Sequence, residues 1–332
     1  MNSSDFFSLV KSFRSEMAKK IVGQEALLDN ILMSYIAGGH VLLEGVPGLA
    51  KTLMVKTFAT LTNGTFKRIQ FTPDLLPADL IGTLIYQQAQ GKFAVRKGPV
   101  FANIILADEI NRASAKVQSA LLEAMAEGQV TIGENSYQLP KPFFVLATQN
   151  PIEQEGTYPL PEAELDRFLL KLFVPYPHID NEVEIVNRLA VFQSDNRSED
   201  ESEISECITD NLLLQMRDFC NNVRCDEMLT KYMVSLVAAT RPSHKIKQDE
   251  FSQGTYLSYI SFGASPRASI ALKLCAKIEA AFNGRDYVIP DDVKKIAYPV
   301  LRHRIKLSYE AGAENLSTDD IIEKLLSVVP QP

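Results

Sequence analysis

The chain has 332 residues, roughly twice the length of a typical single domain, so two domains are expected. Hydrophobic residues make up 46% and charged residues 23% of the sequence, which excludes a disordered, collagen-like or disulfide-scaffold protein. The 34 basic and 41 acidic residues give a formal net charge of −7, which argues against a generally cationic nucleic-acid or membrane binder but leaves a local basic groove open.

The sequence contains no recognisable targeting or membrane segment. The N-terminal residues lack an uninterrupted apolar stretch, and no later run approaches the roughly 18 apolar residues that a membrane span needs. We therefore expect a cytoplasmic protein with no membrane segment.

Cysteine and histidine residues are few and scattered. Of the four cysteines, only Cys220 and Cys225 lie close together, and no histidine stands at a spacing that would complete a zinc site. We expect reduced structural thiols and no metal held by protein side chains alone.

The first half of the chain alternates between strand and helix patterns. Short apolar runs typical of buried strands occupy residues 40–44, 66–71, 103–107, 143–148 and 168–174. Helical patterns lie between several of them, at 51–61 and 114–126. Strands that alternate with helices predict right-handed crossovers and a parallel sheet covered on both faces, so the first half is predicted to be α/β.

Two intervals of the first half do not fit a plain crossover. Residues 82–98 and 129–139 each contain two strand patterns around a polar turn, which predicts two hairpins inserted between the sheet elements. Long insertions that project from a sheet layer more often contact other molecules than pack in the core. A role in such contacts is therefore favoured over a purely structural one.

The strand signal stops after residue 178, and we predict a second, all-helical domain over 179–332. Helical patterns cover residues 180–193, 209–222, 226–240, 266–282, 290–299 and 317–328. A polar, acidic stretch over about 194–206 predicts an exposed linker.

A candidate phosphate-binding loop joins the first strand to the first helix. It consists of Gly45, Val46, Pro47, Gly48, Leu49, Ala50, Lys51 and Thr52, all candidate nucleotide-binding residues. Backbone N–H groups of such a loop bind phosphate oxygens, helped by the unpaired donors and partial positive charge at the helix start. Lys51 would reach the β- and γ-phosphates, and the Thr52 hydroxyl would ligate Mg²⁺.

Ala50 stands where the usual motif has glycine. Alanine is the smallest replacement and is tolerable if the residue already has helical backbone angles, so we expect a variant of the loop. An accidental Gly/Pro turn is disfavoured because Lys51 and Thr52 follow and a strand precedes.

Two carboxylates, Asp108 and Glu109, end the third apolar run. Open α/β sheets bind ligands at the carboxyl ends of their strands. Asp108 would hold Mg²⁺, and Glu109 would orient or polarise the attacking water, since phosphoryl transfer depends on positioning and electrostatics. An isolated Asp-Glu pair would more often be a solvated turn, but the phosphate loop upstream reverses that preference.

Asn150 and Arg167 lie near strand ends. Asn150 follows the 143–148 run and could hydrogen-bond the γ-phosphate or the water, although alone it would be a turn residue. Arg167 either forms a surface salt bridge or reaches the γ-phosphate of a neighbouring subunit, a role that accelerates phosphoryl transfer about 10³–10⁵-fold.

Arg267 follows a predicted helix start, with Ser265 as the N-cap and Pro266 as the first helical residue. It places a cation where the helix dipole is already positive, which is mildly unfavourable unless an anion binds. The pattern favours a nucleotide-sensing role over a plain surface arginine.

Taken in order, these motifs resemble those of the AAA+ ATPases and, within them, the MoxR family. The segments that carry the resemblance span nearly the whole chain and cover residues 22–24, 45–52, 106–113, 147–151, 155–163, 166–168, 263–268 and 300–304. The Ala50 variant is similar to this family's own loop, and the two hairpins resemble those of the helix-2-insert branch.

The resemblance implies a fold and a set of roles. The fold is a parallel five-stranded αβα sandwich followed by a small helical lid. Asp108 and Glu109 would form Walker B, Asn150 sensor 1, Arg167 the arginine finger and Arg267 sensor 2. ATP and Mg²⁺ are the implied cofactors, bound between the subunits of a homo-oligomeric, hexameric ring.

The implied function is ATP-driven, chaperone-like remodelling that matures or activates a client protein or metal-containing complex, with a von Willebrand factor A domain protein as partner. Nucleotide binding would clamp the lid through Arg267, and hydrolysis completed by Arg167 across the interface would release it. A magnesium-chelatase-like metal inserter is a near neighbour of this hypothesis.

Two rival functions stay open. A nucleic-acid motor is favoured by Lys92, Arg96 and Lys97 on the first hairpin, but the overall acidity makes nucleic acid an unexpected partner. A nucleotide-gated scaffold without significant turnover is the third hypothesis, against which the intact Glu109 and Arg167 count.

Overall fold

The computed structural model describes residues 1–46, 48–151, 156–189, 205–242 and 254–332. The strands are β1 (His40–Glu44), β2 (Phe66–Gln70), β3 (Gly82–Gln87), β4 (Lys92–Lys97), β5 (Ile104–Asp108), β6 (Gln129–Ile132), β7 (Asn135–Gln138), β8 (Phe144–Gln149), β9 (Phe168–Phe173), β10 (Ile260–Phe262) and β11 (Lys306–Leu307). In this part of the chain, β2, β5, β8, β1 and β9 form one parallel sheet in that order. The predicted α/β sandwich is confirmed.

Helices cover both faces of the sheet and make up most of the second half. They are α1 (Ser3–Ala18), α2 (Glu25–Ala37), α3 (Lys51–Leu61), α4 (Pro77–Ile81), α5 (Ala115–Glu127), α6 (Glu162–Leu165), α7 (Ile179–Leu189), α8 (Asp210–Asn222), α9 (Glu227–Ala239), α10 (Pro266–Phe282), α11 (Pro290–Leu301), α12 (Tyr309–Ala313) and α13 (Thr318–Val328). Among these described segments, no helix combines the length and apolar character that a membrane crossing requires.

Alternation along the strands divides the sheet residues between two cores. Val41 and Leu43 of β1 pack in a first core with α2 and α3, whereas Leu42 between them packs in a second core with α5. Because both faces are covered, β1 reads in the sequence as a continuous apolar run.

The first core continues into the second half of the chain. The Phe6 ring of α1 lies 5.1 Å from that of Phe219 in α8 and 6.1 Å from that of Phe282 in α10, measured between centroids. The N-terminal helix therefore packs on helices that follow residue 178. The domain boundary after residue 178 stays a prediction, and most of the expected acidic linker lies outside the described residues.

Both expected hairpins form. β3 pairs antiparallel with β4, and β6 pairs antiparallel with β7. The sequence pattern predicts a turn over residues 133–136 in the second hairpin, but the turn is only Gly133 and Glu134, because Gly133 adopts a φ of 65° that suits a tight turn. The hairpins touch each other, since a Cβ at Gly133 would lie 2.7 Å from Leu84 Cδ1.

Two features were not predicted. Helix α1 begins with a capping box, in which the Asn2 side chain accepts from the Asp5 N–H and the Asp5 side chain accepts from the Asn2 N–H. Strands β10 and β11 form a small antiparallel pair within the otherwise helical second half. Such short strands exist only because tertiary packing brings residues far apart in sequence together.

Candidate nucleotide-binding site

The candidate phosphate loop runs from β1 to α3. Its start is fixed by the Gly45 N–H, which donates to the Gln149 carbonyl at 3.2 Å, and a Cβ at Gly45 would lie 2.8 Å from Val174 Cβ. No larger residue fits there without movement. Gly48 has a φ of 86°, which a side chain would strain. Pro47 lies outside the described residues.

Ala50 does not meet the condition of helical backbone angles under which alanine would be tolerated without cost. Its φ of 52° and ψ of 24° place it in the left-handed region as the N-cap of α3. The N-cap lies outside the helix proper: its carbonyl accepts the first helical bond, from Met54 N at 3.0 Å, while its own angles are free to differ. Alanine rather than glycine here costs on the order of 1 kcal/mol.

Lys51 and Thr52 are the first two residues of α3, where backbone N–H groups have no partner within the helix. Lys51 Nζ donates to the Gly45 carbonyl at 2.7 Å, so its side chain lies across the loop. Partial burial lowers the pKa of Lys51, while the nearby Asp108 and Glu109 carboxylates act to raise it. A partly buried ammonium at a helix start is suited to an anionic ligand.

A cavity of about 380 Å³ lies in front of this loop. It is lined by Gly48, Leu49, Ala50, Lys51, Thr52, Arg68, Asp108, Glu109, Thr148 and Asn150. The lining residues come from the phosphate loop, the start of α3, strand β2 and the carboxyl ends of β5 and β8, and β2, β5 and β8 are neighbours in the sheet. The structure thus brings the predicted residues Lys51, Thr52, Asp108, Glu109 and Asn150 together.

Asp108 accepts hydrogen bonds from Thr148 and Arg68, two residues that were not predicted from the sequence. Its Oδ1 accepts from the Thr148 hydroxyl at 2.7 Å, and its Oδ2 accepts from Arg68 Nε at 3.1 Å and Nη2 at 2.6 Å. Side-chain exposure is 48% for Arg68 and 15% for Asp108, so the ion pair lies at the rim of the cavity. Thr148 fixes the orientation of the carboxylate.

Glu109 is held in a strained conformation beside Asp108. Its φ of 57° is in the left-handed region, which is uncommon for a residue with a side chain. Its Oε2 accepts from Gln70 Nε2 at 2.7 Å and lies 3.2 Å from Arg112 Nε. Its N–H donates to Thr148 Oγ1 at 2.8 Å.

Arg68 and Gln70 reach the two carboxylates because β2 pairs with β5. Gln70 stands opposite Asp108 in the register, and Arg68 and Gln70 alternate with the buried Ile69. This alternation was visible in the sequence, but the strand order that places β2 beside β5 was not.

The oxygen donors at the cavity fit Mg²⁺. Thr52 at the start of α3 and Asp108 at the end of β5 both line it, and hydroxyl and carboxylate oxygens are the ligands this hard cation takes. Within the described residues no group of three or more His, Cys, Asp or Glu could hold a metal. Mg²⁺ is commonly bound by one or two protein ligands together with phosphate oxygens and water.

Arg167 and Arg267 are not among the described residues that line this cavity. Arg167 lies between α6 and β9 and is half-buried. Arg267 lines a second cavity of about 790 Å³, together with Asp166, Ser265 and Arg304. The predicted N-cap is present, since Ser265 Oγ accepts from the Arg267 N–H at 3.1 Å.

A parallel sheet in the order β2-β5-β8-β1-β9, with the loop after β1 and carboxylates at the end of β5, defines the nucleotide-binding fold of an AAA ATPase. Residues 40–170 match the sequence model described as "ATPase family associated with various cellular activities (AAA)", and residues 258–325 match that of the AAA lid domain.

Individual relatives agree with these matches. The chain is 47% identical over 317 residues to "Chaperone MoxR1" of Mycobacterium tuberculosis, covering 96% of this chain and 81% of that one. It is 30% identical over 349 residues to "Protein MoxR" of Methylorubrum extorquens, covering 99% and 97%. The chain superposes on the crystal structure of a protein from Cytophaga hutchinsonii with a TM-score of 0.89 and is 50% identical to it, covering 99% of this chain and 96% of that one. The chain belongs to the MoxR family of AAA+ ATPases.

Proposed function

We propose that this protein binds ATP with Mg²⁺ at the cavity in front of the phosphate-binding loop (P-loop), here called the P-loop cavity, and hydrolyses it. The observation that carries the proposal is the convergence of Lys51, Thr52, Asp108, Glu109 and Asn150 on one cavity. These groups supply phosphate binding, metal ligands, a carboxylate and an amide. Phosphoryl transfer to water needs such positioning and charge more than covalent help.

The loop residues would hold the triphosphate. Backbone N–H groups at the start of α3 would bind phosphate oxygens, and Lys51 Nζ would turn to them from the Gly45 carbonyl. Thr52 and Asp108 would hold Mg²⁺, which when bound neutralises charge on the phosphate oxygens. The remaining loop residues, Gly45, Val46, Pro47, Gly48, Leu49 and Ala50, would present their backbone to the nucleotide.

Glu109 and Asn150 would act on the reacting end of the nucleotide. Glu109 would orient the attacking water, and its contacts with Gln70 and Arg112 would set the direction of its carboxylate. Asn150, buried at the end of β8, would hydrogen-bond the γ-phosphate or that water.

Two arginines would complete the reaction in a homo-oligomeric, hexameric ring with nucleotide between subunits. An arginine that serves a neighbouring subunit must lie away from its own phosphate loop, as Arg167 does. Arg267, at the start of α10, would respond to nucleotide through movement of the lid.

The work of the cycle would be remodelling of a client protein. Support comes from the tip of the first hairpin, where Tyr86 and Phe93 are 53% and 69% exposed and their ring centroids lie 5.2 Å apart. Residues 82–98 contain Lys92, Arg96 and Lys97 but no acidic residue. An exposed apolar and basic surface suits a polypeptide with apolar and acidic side chains. Maturation of a metal-containing complex and a von Willebrand factor A domain partner are part of the same proposal.

Steady-state phosphate release tests the hydrolysis. We expect the wild-type protein to release phosphate from ATP only with Mg²⁺. Glu109→Gln is the matched variant, because glutamine has the same shape and keeps an oxygen that can accept from Gln70. It should bind ATP normally and hydrolyse it about 10²–10⁴-fold more slowly. Full hydrolysis by this variant would reject the role given to Glu109.

A further inference from the structure

The turn that carries Arg167 is hydrogen-bonded to the second half of the chain through its neighbour Asp166. Both carboxylate oxygens of Asp166 are used: Oδ1 accepts from Arg304 Nε at 2.7 Å, and Oδ2 accepts from the Ser265 hydroxyl at 2.7 Å. Asp166 lies between α6 and β9, Ser265 precedes α10 and Arg304 follows α11. One carboxylate therefore joins the edge of the sheet to two separate segments of the lid.

Arg304 is a buried cation whose neutralising partner is Asp166. Its side chain is 3% exposed, and its guanidinium also donates to the carbonyls of Phe168 at 2.7 Å, Leu169 at 3.0 Å and Val300. Burial of an unpaired charge is strongly unfavourable, so the carboxylate is required where it stands. The carbonyl contacts fix the guanidinium to the first two residues of β9, immediately after Arg167.

Ser265 continues the connection to Arg267. Its Oγ donates to Asp166 and at the same time accepts from the Arg267 N–H at 3.1 Å as the N-cap of α10. The first turn of the helix that carries Arg267 is thus tied, through one hydroxyl, to the residue that precedes Arg167. Asp166, Ser265 and Arg304 do not line the P-loop cavity, whose described lining residues come from α3, β2, β5 and β8.

We propose that Asp166 is a positioning residue that couples Arg267 to Arg167, so that movement of the lid helix α10 is transmitted to the arginine finger. Asp166 itself touches no nucleotide. The inference rests on the proposed function, because it requires that Arg167 serve a neighbouring subunit during ATP hydrolysis. It predicts that breaking the connection impairs turnover without weakening the binding of ATP to the chain's own P-loop.

The first test removes the Ser265 connection and compares it with a matched cap. Ser265→Ala loses the bond to Asp166 and the N-cap of α10. Ser317→Ala is the control, because Ser317 caps α13 and its hydroxyl bonds only within that helix turn. Ser265→Thr keeps the hydroxyl. We expect kcat to fall about 10- to 100-fold in Ser265→Ala, as misplacement by about 1 Å can produce, and to be unchanged in the other two.

Asp166→Asn tests the carboxylate and its relation to Arg167. Asparagine keeps the size but removes the charge opposite Arg304. We expect the dissociation constant for ATP, measured by calorimetry, to stay within about twofold, and kcat to fall. Because Asp166 acts through Arg167, adding Asp166→Asn to Arg167→Ala should lower kcat little further, whereas independent effects would multiply.

A mixing experiment locates the defect at the subunit boundary. Glu109→Gln subunits bind ATP but hydrolyse it slowly, and they keep the Asp166 connection to Arg167. Asp166→Asn subunits keep Glu109 but lack that connection. Mixed assemblies should recover hydrolysis where the Glu109 of an Asp166→Asn subunit meets the Arg167 of a Glu109→Gln subunit, although each variant alone is slow.

The outcomes separate this inference from the proposed function. A wild-type protein that does not hydrolyse ATP with Mg²⁺ overturns both. An active wild type with equal kcat in Ser265→Ala and Ser317→Ala, multiplicative effects of Asp166→Asn and Arg167→Ala, or no recovery on mixing, overturns only the role of Asp166.

Discussion

Arg68 donates two hydrogen bonds to Asp108, the residue proposed to hold Mg²⁺. The guanidinium and a divalent cation would therefore compete for the same carboxylate. Arg68 Nη2 also donates to Gln70 Oε1 at 2.7 Å. The guanidinium of Arg68 is therefore held in place by two partners, Asp108 on β5 and Gln70 on its own strand β2. Arg68 thus balances the charge of the Asp108 carboxylate at the end of β5.

Replacing Arg68 should make the metal easier to bind. In Arg68→Gln, Mg²⁺ no longer displaces a guanidinium, and a half-exposed ion pair contributes about 0.2–1 kcal/mol. We expect the Mg²⁺ concentration that gives half-maximal ATP binding to fall by up to about fivefold, measured by calorimetry across a Mg²⁺ series. Arg96→Gln on the first hairpin is the control for net charge. An unchanged or higher Mg²⁺ requirement in Arg68→Gln would show that Arg68 does not compete for Asp108.

Lys51→Ala should weaken nucleotide binding. Charged hydrogen bonds are worth about 1.5–3 kcal/mol, so the dissociation constant for ATP should rise about 10- to 100-fold. Lys56→Ala, on an exposed position of the same helix, should bind ATP as the wild type does. Equal affinity in Lys51→Ala and the wild type would contradict the proposed phosphate site.

The sequence was sufficient to predict residues whose placement follows from a single strand end. Lys51 and Thr52 follow β1, Asp108 and Glu109 end β5, and Asn150 follows β8. Because the carboxyl ends of parallel strands share one edge of a sheet, these residues had to lie close together.

The positions of residues that depend on strand order, or on packing between distant segments, could not be predicted from the sequence. Arg68 reaches Asp108 only because β2 lies beside β5, and Arg304 reaches Asp166 across 138 positions of the chain. The strands β10 and β11 likewise exist only through tertiary pairing. The left-handed angles of Ala50 belong to the turn into α3. They could not be predicted, because glycine, not alanine, is the residue typical of that conformation.

The exposed tip of the first hairpin should contribute to client binding but not to basal hydrolysis. Burial of a phenylalanine contributes about 1.5–3 kcal/mol, so Phe93→Ser should weaken binding of an unfolded probe, reduced carboxymethylated α-lactalbumin, about tenfold or more. Gln87→Ser, at the register position next to the Tyr86–Phe93 pair and on the opposite face, is the matched control.

The same variants separate a protein client from nucleic acid. Binding of a single-stranded oligonucleotide that is lost in Phe93→Ser and falls steeply with salt would favour the nucleic-acid motor instead. Equal binding of the unfolded probe by Phe93→Ser and Gln87→Ser would remove the hairpin tip from the client surface.

Stability should fall in mild acid because of His40. This side chain is buried at the start of β1; its Nδ1 accepts from the Val145 N–H at 3.1 Å and its Nε2 donates to the Met125 carbonyl at 3.3 Å. Protonation of Nδ1 would break the bond to Val145. Burial lowers the pKa of His40 from 6.5 to about 4, although the Met125 carbonyl opposes the shift.

The sign of the effect follows from which state binds more protons. Between pH 6.5 and 4 the unfolded chain is protonated at His40 and the folded chain is not, so stability is full above pH 6.5 and is lost as the pH falls towards 4. The loss from this residue is about 3 kcal/mol over that window. His303 contributes in the same direction, because burial and the neighbouring Arg304 and Lys171 lower its pKa well below 6.5.

Comparison with His40→Asn isolates this contribution. Asparagine can accept from the Val145 N–H through Oδ1 but is too short to replace the Nε2 contact with Met125, and it does not titrate. Urea unfolding at pH 7.5, 6.5, 5.5 and 4.5 should give a shallower decline for the variant than for the wild type, because other acid-sensitive groups, including His303, are common to both. If the two proteins lost stability in parallel from pH 6.5 to 4.5, His40 would have to be protonated in the folded state, and its hydrogen bond from Val145 could not be present.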